Sequence, residues 1–468
     1  MRGVLAIRGI KDGAVLQREE SGACRVTLEA RFQGRPRASL GELTEVGRDR
    51  WSLSGIRAGG PYAVTIEDGK ESRTFFDLYV GDLWLLAGQS NMEGAGVLTP
   101  EDEEESASRR PYLRALYMDD HWDAAGPVLH QLFLSRDRPH REAWERDRRS
   151  LEQRGIEVYD APPYRSGRHV GPGYFFAKEM FRLTGGIPQG LIPAAVGGAP
   201  IESWLPPAPG EENYYTAACR RIVETGSHIR GVFWSQGEGN PHADCYPAQI
   251  ERMRRDLCER LKASQIPFVQ MQSFKCTLQM DAETDERWSR FREMQRKMPF
   301  QAERLATIAT NDLALDDCIH LSSDSQKVCG VRAARAMHWL ITGIGTAEPA
   351  LDTLYAVRDR FVPHFSEIHI RYRNLSGALT SSGVPFGFTL RRKGSGEAPS
   401  IQRVRKILTA QNEAILCVER TIEELADYEL WYGYGNGFYC NVVDQGNRAI
   451  PAMGPIDLKE YLQGGRME

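Results

Sequence analysis

Four short segments carry the residue types that acyl transfer requires. Gly88-Gln89-Ser90 ends an apolar run of strand length. Gly197-Gly198 and Gln236-Gly237-Glu238 follow two later runs, and Asp316-Asp317-Cys318-Ile319-His320 forms a polar loop. A serine hydroxyl is a weak nucleophile at its own pKa and needs a base. His320 is the candidate base. Asp317, in the same loop, is the candidate to hold the second ring nitrogen. A tetrahedral intermediate also needs donors aimed at its oxyanion, each worth about 3–4 kcal/mol when removed. The candidates are the Ser90 N–H, the N–H of Gly198 or Gly197, and the amide of Gln236. Each segment alone reads as an ordinary turn. Their joint occurrence in this order is much harder to read that way.

The elements around them suit an open α/β sheet, where ligands bind outside the carboxyl ends of strands. Strands are expected at Val80–Gly88, Leu191–Val196, Ile229–Ser235, Ile266–Met271 and Leu305–Thr310. Pro193 is awkward for a central strand, because it has no N–H to donate. Gly171-Pro172-Gly173 opens a helix that Gly185-Gly186 closes. Ser322-Ser323-Asp324 caps another, whose expected core stripe is Val328, Val331, Ala334, His338 and Ile341. Residues 100–170 interrupt the pattern. Within them Glu101–Glu105 reads as solvated surface, and the Arg-dense stretch 136–149 as an exposed helix or loop able to wall a cleft. Residues 1–79 read as a small β-sandwich of short strands such as Trp51–Ile56 and Tyr62–Ile66. Residues 347–468 read as a second β module. The α/β domain then spans 80–346.

Bulk properties narrow the function classes. The 468 residues exceed one ordinary core and predict two or three domains. A net charge of -4 gives no polyelectrolyte surface for nucleic acid. No apolar run reaches membrane-spanning length, and the apolar N-terminal run is too short for a signal peptide. Nine scattered cysteines without a CxxC pair argue against a disulfide framework or a zinc ribbon. A reduced cytoplasm is the default expectation; a secreted protein lacking its leader is the alternative.

The segments resemble the SGNH hydrolase superfamily, and more narrowly the sialate O-acetylesterase family of carbohydrate acetylesterases. The resemblance rests on Val80-Gly81-Asp82-Leu83-Trp84 through Gly88-Gln89-Ser90-Asn91-Met92, on Gly197 to Trp204, on Trp234 to Asn240, and on Asp317-Cys318-Ile319-His320. Val15-Leu16-Gln17-Arg18, Gly59-Gly60-Pro61-Tyr62, Gly383–Phe388 and Leu430–Asn441 extend it to the β regions. It implies a three-layer α/β fold with a parallel sheet, flanked by β modules. It implies removal of acetyl from a sugar hydroxyl through an acetyl-serine, with no metal or other cofactor. Ser90 would be nucleophile, His320 base and Asp317 its orienter. Ser90, Gly198 (or Gly197) and Gln236 would form the oxyanion hole, and Gln89, Asn91, Glu238 and Asn240 would face substrate. Asp312 and Asp316 lie near Asp317, which is preferred for its spacing. The chain departs from the family pattern at Leu321, Ala199 and Gly239, where Pro, Thr and Ser are usual. Ala199 and Gly239 are expected to line the acetyl and sugar region.

Sialic acid, acetylated xylan and acetylated pectin all remain open as substrate. The Arg-dense stretch mildly favours an anionic sugar. Two readings from other classes compete. A non-catalytic carbohydrate-binding protein would use the β modules and nine tryptophans as stacking platforms. A lipase or thioesterase would need a long apolar run near Ser90, and none is present.

Overall fold

Val15–Gln17 (β1) and Glu71–Gly88 (β2) pair in parallel, with Leu16 opposite Val80. Two separated sequence motifs therefore meet. Gln17 Oε1 accepts from the Leu83 N–H at 2.8 Å, and the Arg18 guanidinium forks onto the nearly buried Asp82 at 3.0 and 2.9 Å. The computed structural model that shows this describes residues 5–155, 168–240, 244–395, 400–401, 404–408 and 412–462. Residues 156–167, within the stretch expected to interrupt the α/β pattern, lie outside the described residues.

β2 is buried without interruption from Leu78 to Gly88. Continuous burial, rather than alternation, marks a strand covered on both faces. Leu113–Leu116 (β3), Trp122–Ala124 (β4), Gln189–Pro193 (β5) and Gly231–Ser235 (β6) complete a run in the order β4-β3-β5-β2-β6. β3, β5, β2 and β6 are mutually parallel, and β4 is antiparallel to β3. Pro193 is the last residue of β5, where a missing N–H is tolerated best. Trp84 anchors the middle of β2 by donating its indole N–H to Gln189 Oε1 at 2.7 Å.

The helices of interest are α1 (Ser90–Glu93), α2 (Pro100–Ala107), α3 (Arg138–Gln153), α4 (Gly173–Leu183), α5 (Tyr214–Val223), α6 (Tyr246–Leu261), α7 (Ala282–Lys297) and α8 (Ser323–Thr342). α8 turns a different face inward from the stripe expected. Ser325, Gln326, Cys329, Arg332, Ala333, Ala336 and Met337 are buried, and of the expected residues Ala334 alone is fully so. The cause is close approach to α4. A Cβ on Gly330 would sit 2.6 Å from the Pro172 carbonyl and 2.7 Å from the Phe176 nitrogen. Small residues here let backbones meet, and that contact outranks the larger apolar side chains.

Glu101–Glu105 is likewise not all solvated surface. It lies in α2, where Asp102 is fully buried. Its Oδ2 accepts from Thr99 Oγ1 at 2.8 Å and Ser323 Oγ at 2.6 Å. The Arg-dense stretch forms α3, docked by the buried His140, Ala143 and Trp144. Arg220 on α5 holds Asp137, at the start of α3, and Asp120.

The described residues divide into two compact units, 1–236 with 248–268 and 320–337, and 237–247 with 269–319 and 338–468. In the first, the N-terminal strands share one core with the α/β part: Val26, Leu53, Val64 and Phe75 cluster with Leu83, Leu116 and Trp122. The expected boundary at 79/80 falls inside β2. In the second, two four-stranded antiparallel sheets enclose a core that includes Ile368, Leu416, Leu430 and Met453. α7 is tied into them. The fully buried Arg292 donates to the carbonyls of Gly433, at 3.3 Å, and Gly435. Gln272 Nε2 donates to the Ala452 carbonyl at 2.9 Å, and Glu293 Oε2 accepts from the Gly454 N–H at 3.1 Å. The expected boundary at 346/347 thus divides one unit. No helix among the described residues is long and apolar enough to cross a membrane.

Candidate active site

Parallel neighbours end on the same edge of a sheet, so β5, β2 and β6 deliver three segments to one place. Register fixes the spacing. Ser235 lies opposite Gly88, and the Gln89 N–H donates to the Ser235 carbonyl at 2.7 Å. Gly88 has φ +123°, and a Cβ there would lie 2.0 Å from that carbonyl oxygen. Only glycine permits this approach. The chain then turns directly into α1, with Ser90 at its first position and half-buried.

Ser90 Oγ lies 3.1 Å from Nε2 of the half-buried His320. That is hydrogen-bonding distance for a hydroxyl donating to an imidazole. The histidine loop is held by the residue after the serine. Asn91 Oδ1 accepts from the Leu321 N–H at 3.0 Å and from Gln326 Nε2 at 3.2 Å. Asn91 is fully buried, and these bonds tie its side chain to the histidine loop. The polar link between Ser323 on α8 and Asp102 on α2 lies three residues after His320.

The second segment supplies donors of unequal availability. The Gly197 N–H donates to Glu93 Oε2 at 2.5 Å. Among the described residues no acceptor faces the N–H of Gly198 or of Ser90. Gly198 is exposed, with φ +68°. Gln236 is buried, and its Nε2 lies 3.4 Å from the Ala199 carbonyl, which brings the third segment against the second. Ser90, His320, Asn91, Gly198 and Gln236 therefore form one cluster in the first unit. Glu93 belongs to it and was not singled out from sequence. Its place at the end of a four-residue helix is a tertiary matter, and the one available signal was an acidic residue three positions after a candidate nucleophile.

The remaining expected residues are placed as follows. Gln89 is buried. Ala199 is only 2% exposed. Asp317 lies in the second unit, half-buried, where its Oδ1 accepts from the Ile319 N–H at 2.8 Å. Glu238 and Asn240 also lie there. Burial lifts the Glu238 carboxyl above the usual carboxylate range, against the opposing charge of Arg292. Asn240 is half-buried, and its N–H donates to the Gly237 carbonyl at 2.9 Å. Several arginines of α3 have partners. Arg138 pairs with Glu212 at 3.1 Å, Arg148 with Glu152 at 2.8 Å, and Arg141 donates to the carbonyls of Ser135 and Arg136 at 3.0 and 2.6 Å. Of these contacts, that of Arg138 ties the helix to a distant part of the chain.

The chain is similar to known proteins to different extents. A profile of the family described as carbohydrate esterase, sialic acid-specific acetylesterase matches residues 80–339. Sialate O-acetylesterases of Pongo abelii and Homo sapiens are each 26% identical over 296 residues, which is 52% of this chain and 52% of theirs. The chain thus spans about half the length of those relatives. The crystal structure of a carbohydrate acetylesterase from Xanthomonas citri superposes with a TM-score of 0.67 at 19% identity, covering 96% of this chain and 99% of that one. That likeness is one of fold.

Proposed function

We propose that this chain, which belongs to the carbohydrate esterase, sialic acid-specific acetylesterase family, removes acetyl groups from sugar hydroxyls through an acetyl-serine intermediate. One observation carries the reading: Ser90 Oγ within 3.1 Å of His320 Nε2, beside two backbone N–H groups without acceptors among the described residues. His320 takes the Ser90 proton as Oγ attacks the acetyl carbonyl. The oxyanion accepts from the N–H groups of Ser90 and Gly198, with the Gln236 amide as a third donor. Gly197 is excluded from that role because Glu93 holds its N–H. His320 then protonates the departing sugar oxygen, and water repeats the sequence to release acetate. Asp317 is assigned as orienter of His320 on its sequence spacing. Glu238 and Asn240 are assigned to the sugar side, and Gln89 and Asn91 to support of the nucleophile. We read the α/β part as the three-layer arrangement of SGNH hydrolases, which the parallel order β3-β5-β2-β6 supports.

The finer reading is an O-acetylated sialic acid. The description of the matching family and the names of the curated relatives support it. The test is acetate release from O-acetylated sialic acids, acetylxylan and acetylated pectin fragments. Release from sialate esters, lost in Ser90→Ala, is the expected result. Release from xylan or pectin alone overturns the sialate reading but keeps the esterase. Wild-type turnover in Ser90→Ala overturns the mechanism.

A further inference from the structure

The second unit contains a cavity of about 470 Å³ that the chemistry above does not use. This is the size of a small-molecule site. Its wall carries Arg296, Arg304 and Arg373 beside Phe300 and Trp339. Their charges are not equally neutralised. Arg296 pairs with Glu293 at 2.7 Å. Glu348, an acidic wall residue, faces Arg448 at 3.9 Å. The other acidic wall residue, Glu303, is exposed. Arg304 and Arg373 have no carboxylate partner among the described residues. Among the described residues the Arg304 side chain donates to the Leu340 carbonyl alone, at 3.3 Å, and its backbone is left-handed with φ +52°. Glycine or asparagine adopts that conformation more easily than arginine. The Trp339 indole N–H likewise has no acceptor among the described residues.

The apolar part is equally specific. Phe300 is 57% exposed, and the Arg373 guanidinium lies 5.9 Å from its ring centroid. Trp339 is half-buried on the same wall. The cavity therefore offers two planar guanidinium forks, a free N–H donor and two aromatic surfaces. Guanidinium forks match a carboxylate in two-point geometry. Aromatic faces suit the C–H face of a saturated ring. We infer that this cavity is a second, non-catalytic site that binds a carboxylate-bearing sugar.

The test titrates the full-length chain with N-acetylneuraminic acid and galacturonic acid, which carry no O-acetyl group to hydrolyse. Xylose, benzoate and inorganic phosphate serve as comparison ligands. Wild type and Ser90→Ala should both bind the sugar acids, and Arg304→Gln with Arg373→Gln should weaken binding at one site by about tenfold or more. Hydrolysis of p-nitrophenyl acetate should be unchanged in that double variant, which separates this inference from the esterase reading. Arg373 is exposed, so Arg373→Gln alone carries the test if the double variant does not fold. Unchanged sugar-acid binding in the arginine variants overturns the inference. So does binding of xylose, benzoate or phosphate at this site as tight as that of the sugar acids.

Discussion

Ser90 and His320 are separated by 230 positions and meet at 3.1 Å. Removing either should lower kcat on p-nitrophenyl acetate by at least about 10³-fold while the protein still melts cooperatively. Glu93 makes a subtler prediction. By holding the Gly197 N–H it sets where the Gly198 N–H points, and a misplacement of about 1 Å is worth about 10²-fold. Glu93→Ala should therefore reduce kcat by about 10- to 100-fold with little change in KM. Glu93→Gln keeps an acceptor oxygen and should retain most of the activity. Steady-state kinetics of the pair checks this; equal losses in both would refute a role through the hydrogen bond. Ser90 and His320 could be singled out from residue identity, and the structure brings them within hydrogen-bonding distance. Glu93 could not be, because its role depends on a backbone N–H more than 100 positions away.

At the scale of elements, α2 and α8 are locked by Asp102. Burial alone would raise its pKa, but hydrogen bonds from Ser323 and Thr99 and the charge of Lys327 outweigh burial and hold it below the ordinary value. A carboxyl with a depressed folded pKa contributes stability above its unfolded value, near 3.9, and loses it as pH falls through the folded value. Asp102→Asn should cost about 1–3 kcal/mol at pH 7, and the difference from wild type should shrink below about pH 4. Chemical denaturation at pH 7 and pH 3 measures it; a pH-independent difference would contradict the linkage. Gly330→Leu should destabilise more than a surface substitution does, by about 1–3 kcal/mol, because α4 backbone already occupies the space. Thermal melting checks it. The strands were readable from apolar runs ending in glycine. The inward face of α8 was not, since helical periodicity cannot say where a neighbouring backbone will press.

For the whole molecule, the two units do not follow the texture of the chain. Residues 347–468 read as a separate β module, yet Arg292, Gln272 and Glu293 bind their backbone within one unit. Burial pushes the Arg292 pKa down to about 10, and the Gly433 and Gly435 carbonyls are among the oxygens that satisfy its guanidinium. Deleting 347–468 would leave a buried cation without those partners, which typically costs several kcal/mol. The truncated chain is expected to aggregate or to lack a cooperative transition, as soluble yield and calorimetry would show. A soluble, cooperatively melting 1–346 fragment would contradict that account.

What the sequence determined by itself was the chemistry on offer and the order in which it arrives. Serine, histidine and paired glycines announce their reactivity by type, and strand ends announce where they are placed, because both properties are local. The tertiary structure decided how those groups are used. It gave the Gly197 N–H to Glu93 and left that of Gly198 without an acceptor among the described residues. It buried Asn91 and Asp102 and paired Arg138 of α3 with Glu212. Each outcome depends on which donor finds an acceptor across long stretches of chain. Residue identity sets what a group can bond to; packing alone sets what lies within reach.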